Sequence, residues 1–156
     1  MGTRFDFAEA SPQALSEMEG LDMYLEACGI ERRLLRIVCI RVSQLNRSAY
    51  CIDQHTQDAR AIGETEQRIN ALPAWRDTSF FSVRERAALA WAEAVTLIAD
   101  SHCPDQVYEA CRVTFSDEEL ANLTLAMIVV NGWNRIAICS RLMPEAQRAA
   151  SPQHSR

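Results

Sequence analysis

Residues that interrupt helices are scarce in this sequence, which contains five glycines and five prolines in 156 residues. Valine, isoleucine and threonine nowhere alternate with polar residues between turn signals, the usual pattern of a β-strand. Both absences predict an all-α protein. The length predicts a single domain over residues 1–156. A chain of this length buries roughly 68–70% of its unfolded surface, which is enough for a core without disulfides.

Positive charge is also in short supply. The sixteen basic residues, all arginines, are outnumbered by 21 acidic ones, so the net charge is −5 and the isoelectric point is about 5.2. This balance argues against a general nucleic-acid partner, although a local basic patch is possible where Arg32, Arg33, Arg36 and Arg41 lie close together. No apolar run approaches the roughly 20 residues of a membrane span. The N-terminus has no apolar signal-peptide core, so we expect a cytoplasmic protein with no membrane partner.

No Cys-x-x-Cys pair occurs among the six cysteines. Without a secretion signal these thiols are expected to be reduced. Four of them lie in apolar stretches and are predicted to be small buried hydrophobic residues: Cys28, Cys39, Cys111 and Cys139. A zinc site using Cys51, His55, His102 and Cys103 is a minor alternative, so we predict neither a metal nor another cofactor.

Helix signals fill most of the chain. Two Ser-x-x-Glu capping boxes, Ser82–Glu85 and Ser116–Glu119, mark helix starts, and Ser11 is the expected cap before Pro12. The predicted helices run over about 12–28, 30–45, 48–62, 65–72, 82–99, 104–113 and 120–142, with an arm at 1–11, a loop or turn at 73–81 and a mobile tail at 145–156. Two of these helices, 30–45 and 120–142, are so apolar that we expect the chain to form a homo-oligomer.

The segment 46–55 carries the residues with chemical potential. Cys51 and His55 are four residues apart, so on a helix their Cβ atoms lie about 5–6 Å from each other on one face. An imidazole at that range can accept the thiol proton directly or through a water molecule. With Ser48 as N-cap, Cys51 occupies the third helical position, where backbone N–H groups and the helix dipole favour a thiolate. The pattern also fits two packed or solvated side chains without a catalytic role.

Three stretches together resemble the carboxymuconolactone decarboxylase and alkylhydroperoxidase D-like family of helical oligomers. The first runs from RVSQLN (41–46) through AYCID (49–53) to HTQDAR (55–60). The second runs from GETEQR (63–68) through Trp75 to FFSVRERAALAW (80–91). The third runs from Phe115 to NGWNR (131–135). Because their order and spacing are kept over roughly residues 30–140, the combination is far more specific than any single motif.

This resemblance implies a catalytic role for Cys51 and His55. In the family's peroxidases a Cys-x-x-Cys pair precedes a histidine, and the second cysteine and the histidine correspond to Cys51 and His55. The implied chemistry is attack of a thiolate on a hydroperoxide, which forms a sulfenic acid. Two positions depart from the family: Ser48 replaces the first cysteine, and Arg36 replaces a glutamate. Ser48 cannot form the resolving disulfide, and Arg36 cannot accept a proton, although its charge could favour a thiolate at Cys51.

Three functions follow as hypotheses. The first is a thiol-dependent peroxidase of small hydroperoxides, with Cys51 and His55 as catalytic residues, Ser48 and Arg36 in supporting positions and an external thiol as reductant. A distant cysteine such as Cys39 is a second candidate for resolving the sulfenic acid. The second hypothesis is a non-catalytic oligomeric or ligand-binding protein. The third is a lactone decarboxylase in which His55 is a general acid or base.

Other polar and aromatic residues of these stretches are predicted to be structural. Trp91 and Trp133 lie on apolar helix faces and are expected to pack in the core. Asn131, Asn134 and Arg135 are expected to bond to a neighbouring helix or subunit. Glu64 and Glu66 are expected to support the helix that begins after Thr65, with a substrate-side acid as the minor alternative.

Overall fold

A computed structural model describes residues 2–144 of the chain, and its regular elements are all helical. This confirms the all-α prediction, and no strand occurs among the described residues. In chain order the helices are α1 (Phe7–Ala10), α2 (Pro12–Ala27), α3 (Arg32–Leu45), α4 (Ala49–Ala61), α5 (Glu66–Ala71), a 3₁₀ helix (Leu72–Asp77), α6 (Val83–Thr96), α7 (Ile98–Ser101), α8 (Asp105–Arg112) and α9 (Asp117–Ser140). The predicted tail at 145–156 lies outside the described residues.

Most helix boundaries follow from the capping chemistry of the sequence. Ser82 and Ser116 both form complete capping boxes, in which the serine side chain and the glutamate at the third helical position exchange hydrogen bonds with the backbone. Gly29 and Gly63 follow α2 and α4 with positive φ angles of 89° and 84°, which glycine adopts without a steric penalty. The prediction for Ser11 is wrong in one respect, because its side chain makes no capping hydrogen bond.

The core is built around α3 and α9. Helix α3 packs against α4, α6 and α9, and its buried side chains include Ile37, Val38, Ile40 and Val42. Helix α9 contributes Leu123, Met127 and Val129 to the same cluster. The sequence analysis expected no apolar run of membrane-spanning length, but α9 is long and apolar enough to cross a bilayer. One face of α9 forms part of this core, which explains why the helix is apolar. Helix α2 lies at the periphery and buries a single residue, Leu25.

Several local predictions need correction. The N-terminal arm contains the short helix α1, and the backbone N–H of Arg4 donates to Ser140 O at the end of α9. The helix predicted over 82–99 ends at Thr96. The segment 73–81, predicted to be a loop or turn, begins within the 3₁₀ helix Leu72–Asp77. Of the four cysteines predicted to be buried, Cys39 and Cys111 are buried, whereas Cys28 is half-buried and Cys139 is exposed. Cys139 faces outwards because the apolar surface of α9 extends beyond the side that packs on the core.

The possible basic patch is neutralised by acidic partners. Arg32 and Arg36 both form ion pairs with Glu26, Arg33 lies 3.6 Å from Glu64, and Arg41 pairs with Glu93 at 2.8 Å. Each of these arginines therefore has a carboxylate beside it. These four arginines therefore do not form the strip of unpaired positive charge that binding to the phosphate backbone of a nucleic acid requires.

Candidate active site

A network of side-chain amides, one of them fully buried, holds the junction between α3 and α4. Asn46, at the end of α3, donates from Nδ2 to Oδ1 of Asn131 at 2.9 Å and to Oδ1 of Asn134 at 2.8 Å. Asn134 is fully buried and donates to Ser43 Oγ at 3.0 Å. These bonds satisfy polar groups that would be costly to bury alone. They confirm the predicted structural role of Asn131 and Asn134 and anchor the turn from which α4 begins.

Helix α4 places Ser48, Cys51 and His55 on one face. Ser48 is the N-cap residue, so Cys51 is the third residue of the helix, as predicted. This position belongs to the first turn, the electropositive end of the helix. Cys51 is only 4% exposed, and Ser48 is buried as well. The Ser48 side chain makes no capping bond, so its hydroxyl is free for another partner.

His55 is held in its neutral form. Burial lowers the pKa of its imidazole from 6.5 to about 4; the negative charge of Asp58 opposes this effect, and the positive charge of Arg36 reinforces it. An imidazole with so low a pKa is a weak base at neutral pH. At neutral pH His55 is therefore expected to hold a proton only transiently.

Arg36 is the candidate residue on α3. Its guanidinium forms an ion pair with Glu26 of α2, and its side chain is 16% exposed. Its charge acts on His55 and on the thiol of Cys39, one turn further along α3. Burial nevertheless raises the pKa of Cys39 to about 12, so Cys39 is a protonated, inert thiol at neutral pH. Arg36 thus belongs with His55, whereas Cys39 is a poor candidate for a resolving cysteine.

Unsatisfied polar atoms are concentrated at these residues. Among the described residues, four buried side-chain atoms lack a hydrogen-bond partner: Arg36 Nε, Ser48 Oγ, His55 Nδ1 and Glu64 Oε2. Three of the four belong to residues singled out from the sequence as the candidate site. Buried polar groups in folded proteins are usually satisfied by protein atoms or by ordered water.

Two clefts in the described part of the chain lie apart from this site. One has a volume of about 440 Å³ and is bordered by ion-paired residues, among them Glu64 and Arg68. The other has a volume of about 580 Å³ and mainly apolar walls, among them Ile98 and Ile128. Neither is lined by Cys51 or His55. No group of three or more His, Cys, Asp or Glu side chains within residues 2–144 is arranged to hold a metal ion.

The residues predicted to be structural take up such roles. Glu64 accepts hydrogen bonds from the backbone N–H of Thr65 and from Arg68 Nε, both at 2.9 Å, which supports the start of α5. Glu66 pairs with Arg60. Trp91 donates to Thr124 Oγ1 at 2.9 Å and packs against the core.

Sequence reasoning missed the residues that α2 brings to the site. Glu26 pairs with Arg36, and Asp22 accepts a hydrogen bond of 2.7 Å from Trp133 Nε1. Burial raises the pKa of Asp22, while the Trp133 hydrogen bond and the Arg36 charge oppose the rise. Asp58, one turn after His55, was also overlooked, although its spacing of three residues was a usable signal. No local pattern connected α2 with Arg36, because that contact is tertiary.

Together the helical fold and the Cys–His pair at a helix start define a class of all-α proteins with a buried thiol site. The profile of the carboxymuconolactone decarboxylase family matches residues 9–94, which include all four candidate residues. The chain belongs to this family.

Two proteins are similar to this chain over nearly its whole length. The uncharacterised protein YdfG of Bacillus subtilis (strain 168) is 41% identical over 138 residues, which cover 88% of this chain and 94% of YdfG. The crystal structure of ATU0492 from Agrobacterium tumefaciens, a protein of unknown function proposed to be the antioxidant defence protein AhpD, is 38% identical. Its TM-score is 0.89, and the match covers 92% of this chain and 98% of ATU0492.

A more distant structure shares the fold alone. The debrominase Bmp8 is 20% identical, with a TM-score of 0.81 and a match that covers 91% of this chain and 76% of Bmp8. The fold therefore accommodates more than one chemistry, and function has to be argued from the site.

Proposed function

We propose that this protein is a thiol-dependent reductase of small hydroperoxides, with Cys51 as nucleophile and His55 as proton relay. The observation that carries the proposal is the buried thiol of Cys51 at a helix N-terminus, followed one turn later by His55, whose Nδ1 is buried and has no hydrogen-bond partner. The similarity to ATU0492, itself proposed to act in antioxidant defence, supports the same class of activity.

The reaction would begin with the Cys51 thiol. As sulfur attacks one peroxide oxygen, an S–O bond forms and the O–O bond breaks, which leaves a sulfenic acid on Cys51 and an alcohol or water as the other product. Neutral His55 would take the thiol proton during the attack and pass it to the departing oxygen. Its low pKa suits the second step, because a weakly basic imidazole gives up the proton readily.

An external thiol would complete the cycle. Ser48 occupies the position from which a second cysteine could attack the sulfenic acid, and Cys39 is kept protonated by burial. A small monothiol would therefore condense with the sulfenic acid, releasing water, and a second thiol molecule would reduce the mixed disulfide. Because Cys51 is 4% exposed, only a small reductant, or one admitted by local opening, would reach it.

Trapping of the sulfenic acid tests this proposal directly. The protein is treated with one equivalent of hydrogen peroxide or cumene hydroperoxide in the presence of dimedone, and the modified cysteine is located by mass spectrometry. We expect the adduct on Cys51. A protein that consumes no hydroperoxide, or an adduct confined to the exposed Cys139, would contradict the proposal.

A gain of function is expected from Ser48→Cys. The new thiol would lie three residues before Cys51 at a helix start, where Cα separations fall within the range of about 4.4–6.8 Å that a disulfide requires. Hydroperoxide treatment should then yield an intramolecular disulfide, seen by mass spectrometry as the loss of two hydrogens. Turnover with dithiothreitol should rise by about 10-fold, because an intramolecular thiol replaces a bimolecular step.

Ser48→Ala is the matched control for this gain. It removes the buried hydroxyl without adding a thiol, so it should form no disulfide and should fold as well as the wild type. If Ser48→Cys reacts with hydroperoxide at Cys51 but forms no disulfide, position 48 is not close enough to resolve the sulfenic acid.

One observation favours a non-catalytic binding protein as the second candidate. Cys51 and the unsatisfied atoms of Ser48 and His55 are buried, and the cysteine usual at position 48 in the family's peroxidases is absent. A binder would leave hydroperoxide untouched while its site retained a small polar ligand. No residue of the described site favours the lactone decarboxylase alternative.

We also propose that the protein acts as a cytoplasmic homo-oligomer. Exposed isoleucines lie on the outer face of α9 and beside the apolar cleft, with Ile128 58% and Ile98 56% exposed. Burial of such residues in a symmetric interface is favourable. Light scattering that gives only the 17.6 kDa monomer at micromolar concentration would contradict this proposal. The six free cysteines support a reducing compartment, which cell fractionation would test.

A further inference from the structure

The ion-paired cleft of about 440 Å³ has unused hydrogen-bonding capacity that the candidate active site does not involve. It lies where the start of α3, the loop before α5 and the start of α6 come together. Its charged lining residues are three arginines and three glutamates: Arg33, Arg68, Arg84, Glu31, Glu64 and Glu85. Because these charges balance, the cleft favours a ligand whose own net charge is close to zero.

The carboxylate of Glu64 holds the unsatisfied acceptor of this cleft. Its Oε1 accepts the hydrogen bonds from Thr65 and Arg68, whereas its Oε2 accepts none. Arg33 Nε lies 3.6 Å from Oε2, which is close enough for an ion pair but too far for a hydrogen bond. All three neighbours of the carboxylate line the cleft as Glu64 does, so the carboxylate belongs to its wall. The Glu64 side chain is fully buried, and a buried carboxylate oxygen without a donor is costly.

Arg33 supplies the unused donors. A guanidinium has five N–H groups, and within residues 2–144 the one hydrogen bond of this side chain runs from Nη2 to Gly63 O at 2.6 Å. By contrast, Arg68 and Arg84 each donate to two carboxylates and to a backbone carbonyl. The cleft therefore presents a buried acceptor on Glu64 beside the spare donors of Arg33.

We propose that this cleft binds a free α-amino acid, whose ammonium donates to Glu64 Oε2 and whose carboxylate accepts hydrogen bonds from Arg33. The ammonium and the carboxylate of an α-amino acid are attached to one carbon, so they match an acceptor and a donor that lie side by side. The zwitterion has no net charge, which agrees with the balanced lining. Leu34 also lines the cleft and offers an apolar surface to the ligand's side chain. The proposal does not depend on the chemistry of Cys51.

A ligand with a single charge fits this cleft less well. A simple cation would satisfy Glu64 Oε2 but would lie against the like charge of Arg33, and a simple anion would lie against the carboxylate of Glu64. A zwitterion pairs each of these groups with its opposite charge. Because Glu64 is fully buried, Arg33 has to move before the ammonium reaches Oε2. The Arg33 side chain is 52% exposed, and this movement breaks a single hydrogen bond, the one to Gly63 O.

Backbone-amide NMR of the ¹⁵N-labelled protein tests the proposal. The protein is titrated separately with each of the common L-amino acids. For at least one of them we expect saturable chemical-shift changes at residues 63–65, with residues 48–55 of the candidate active site unaffected. Two analogues of the tightest-binding amino acid are then compared, one without the ammonium group and one without the carboxylate. Each should bind at least about 10-fold more weakly, since a hydrogen bond to a charged group is lost.

Arg33→Gln and Glu64→Gln should each weaken binding of the same amino acid by about 10-fold or more. Glu64 also supports the start of α5, so Arg33→Gln is the decisive variant, because its side chain is half-exposed and lies outside the core. Arg32→Gln is the matched control, since Arg32 is an exposed neighbour that does not line the cleft, and it should bind like the wild type.

Three results would overturn the proposal. The first is the absence of saturable shifts at residues 63–65 with every amino acid, which would mean that water alone completes the bonds of Glu64 Oε2. The second is an analogue without the ammonium group that binds as tightly as the amino acid. The third is unchanged binding in Arg33→Gln.

Discussion

Cys51→Ser should abolish hydroperoxide reduction, lowering the rate by about a thousand-fold or more, because a hydroxyl at this position is neither acidic enough nor nucleophilic enough to attack a peroxide. Serine is close in size to cysteine, and the neighbouring Ser48 shows that this helix start accommodates a buried hydroxyl. The measurement is the initial rate of hydroperoxide consumption with a thiol reductant. Circular dichroism verifies that the variant is folded.

The same variant separates the three functional hypotheses. A peroxidase loses its activity, a decarboxylase that relies on His55 keeps much of it, and a binding protein keeps its ligand affinity. Cys139→Ser is the matched control, because it removes an exposed thiol on α9 and should leave the rate unaffected. Hydroperoxide reduction by Cys51→Ser at the wild-type rate would refute the peroxidase proposal.

Glu93→Ala should lower the free energy of unfolding by about 2–3 kcal/mol, because it leaves buried cationic and polar groups without an acceptor. The Glu93 carboxylate accepts hydrogen bonds from Arg41 Nε at 2.8 Å, Trp75 Nε1 at 2.9 Å and Arg76 Nη1 at 2.5 Å. The side chains of Glu93 and Arg41 are 15% and 14% exposed. The three donors tie α3 and the 3₁₀ helix to α6. Urea unfolding followed by circular dichroism measures the loss.

Glu109→Ala provides the comparison for Glu93→Ala. Glu109 pairs with Arg112 on α8, and both side chains are more than half exposed, so solvent screening leaves this pair with little effect on the free energy of unfolding. If the two substitutions cost the same free energy, the carboxylate of Glu93 does not connect the three elements in solution.

Much of the fold was predictable because its signals are local. The capping boxes at Ser82 and Ser116 and the glycines at 29 and 63 specify helix ends through short-range hydrogen bonds and backbone sterics. The helix end at Thr96 and the exposure of Cys139 were not predictable in this way. The exposure of Cys139 depends on which neighbouring helix covers that face of α9.

The candidate site, too, was predictable from the sequence only in part. By itself, the sequence determined that Ser48, Cys51 and His55 share one face at the start of a helix, because helical periodicity and an N-cap need no tertiary information. Only the tertiary structure decided their electrostatic environment. Burial among packed helices lowers the pKa of His55, and α2 brings Glu26 to Arg36 across ten residues of sequence. Desolvation and ion pairing depend on what surrounds a side chain, which spacing along the chain does not specify.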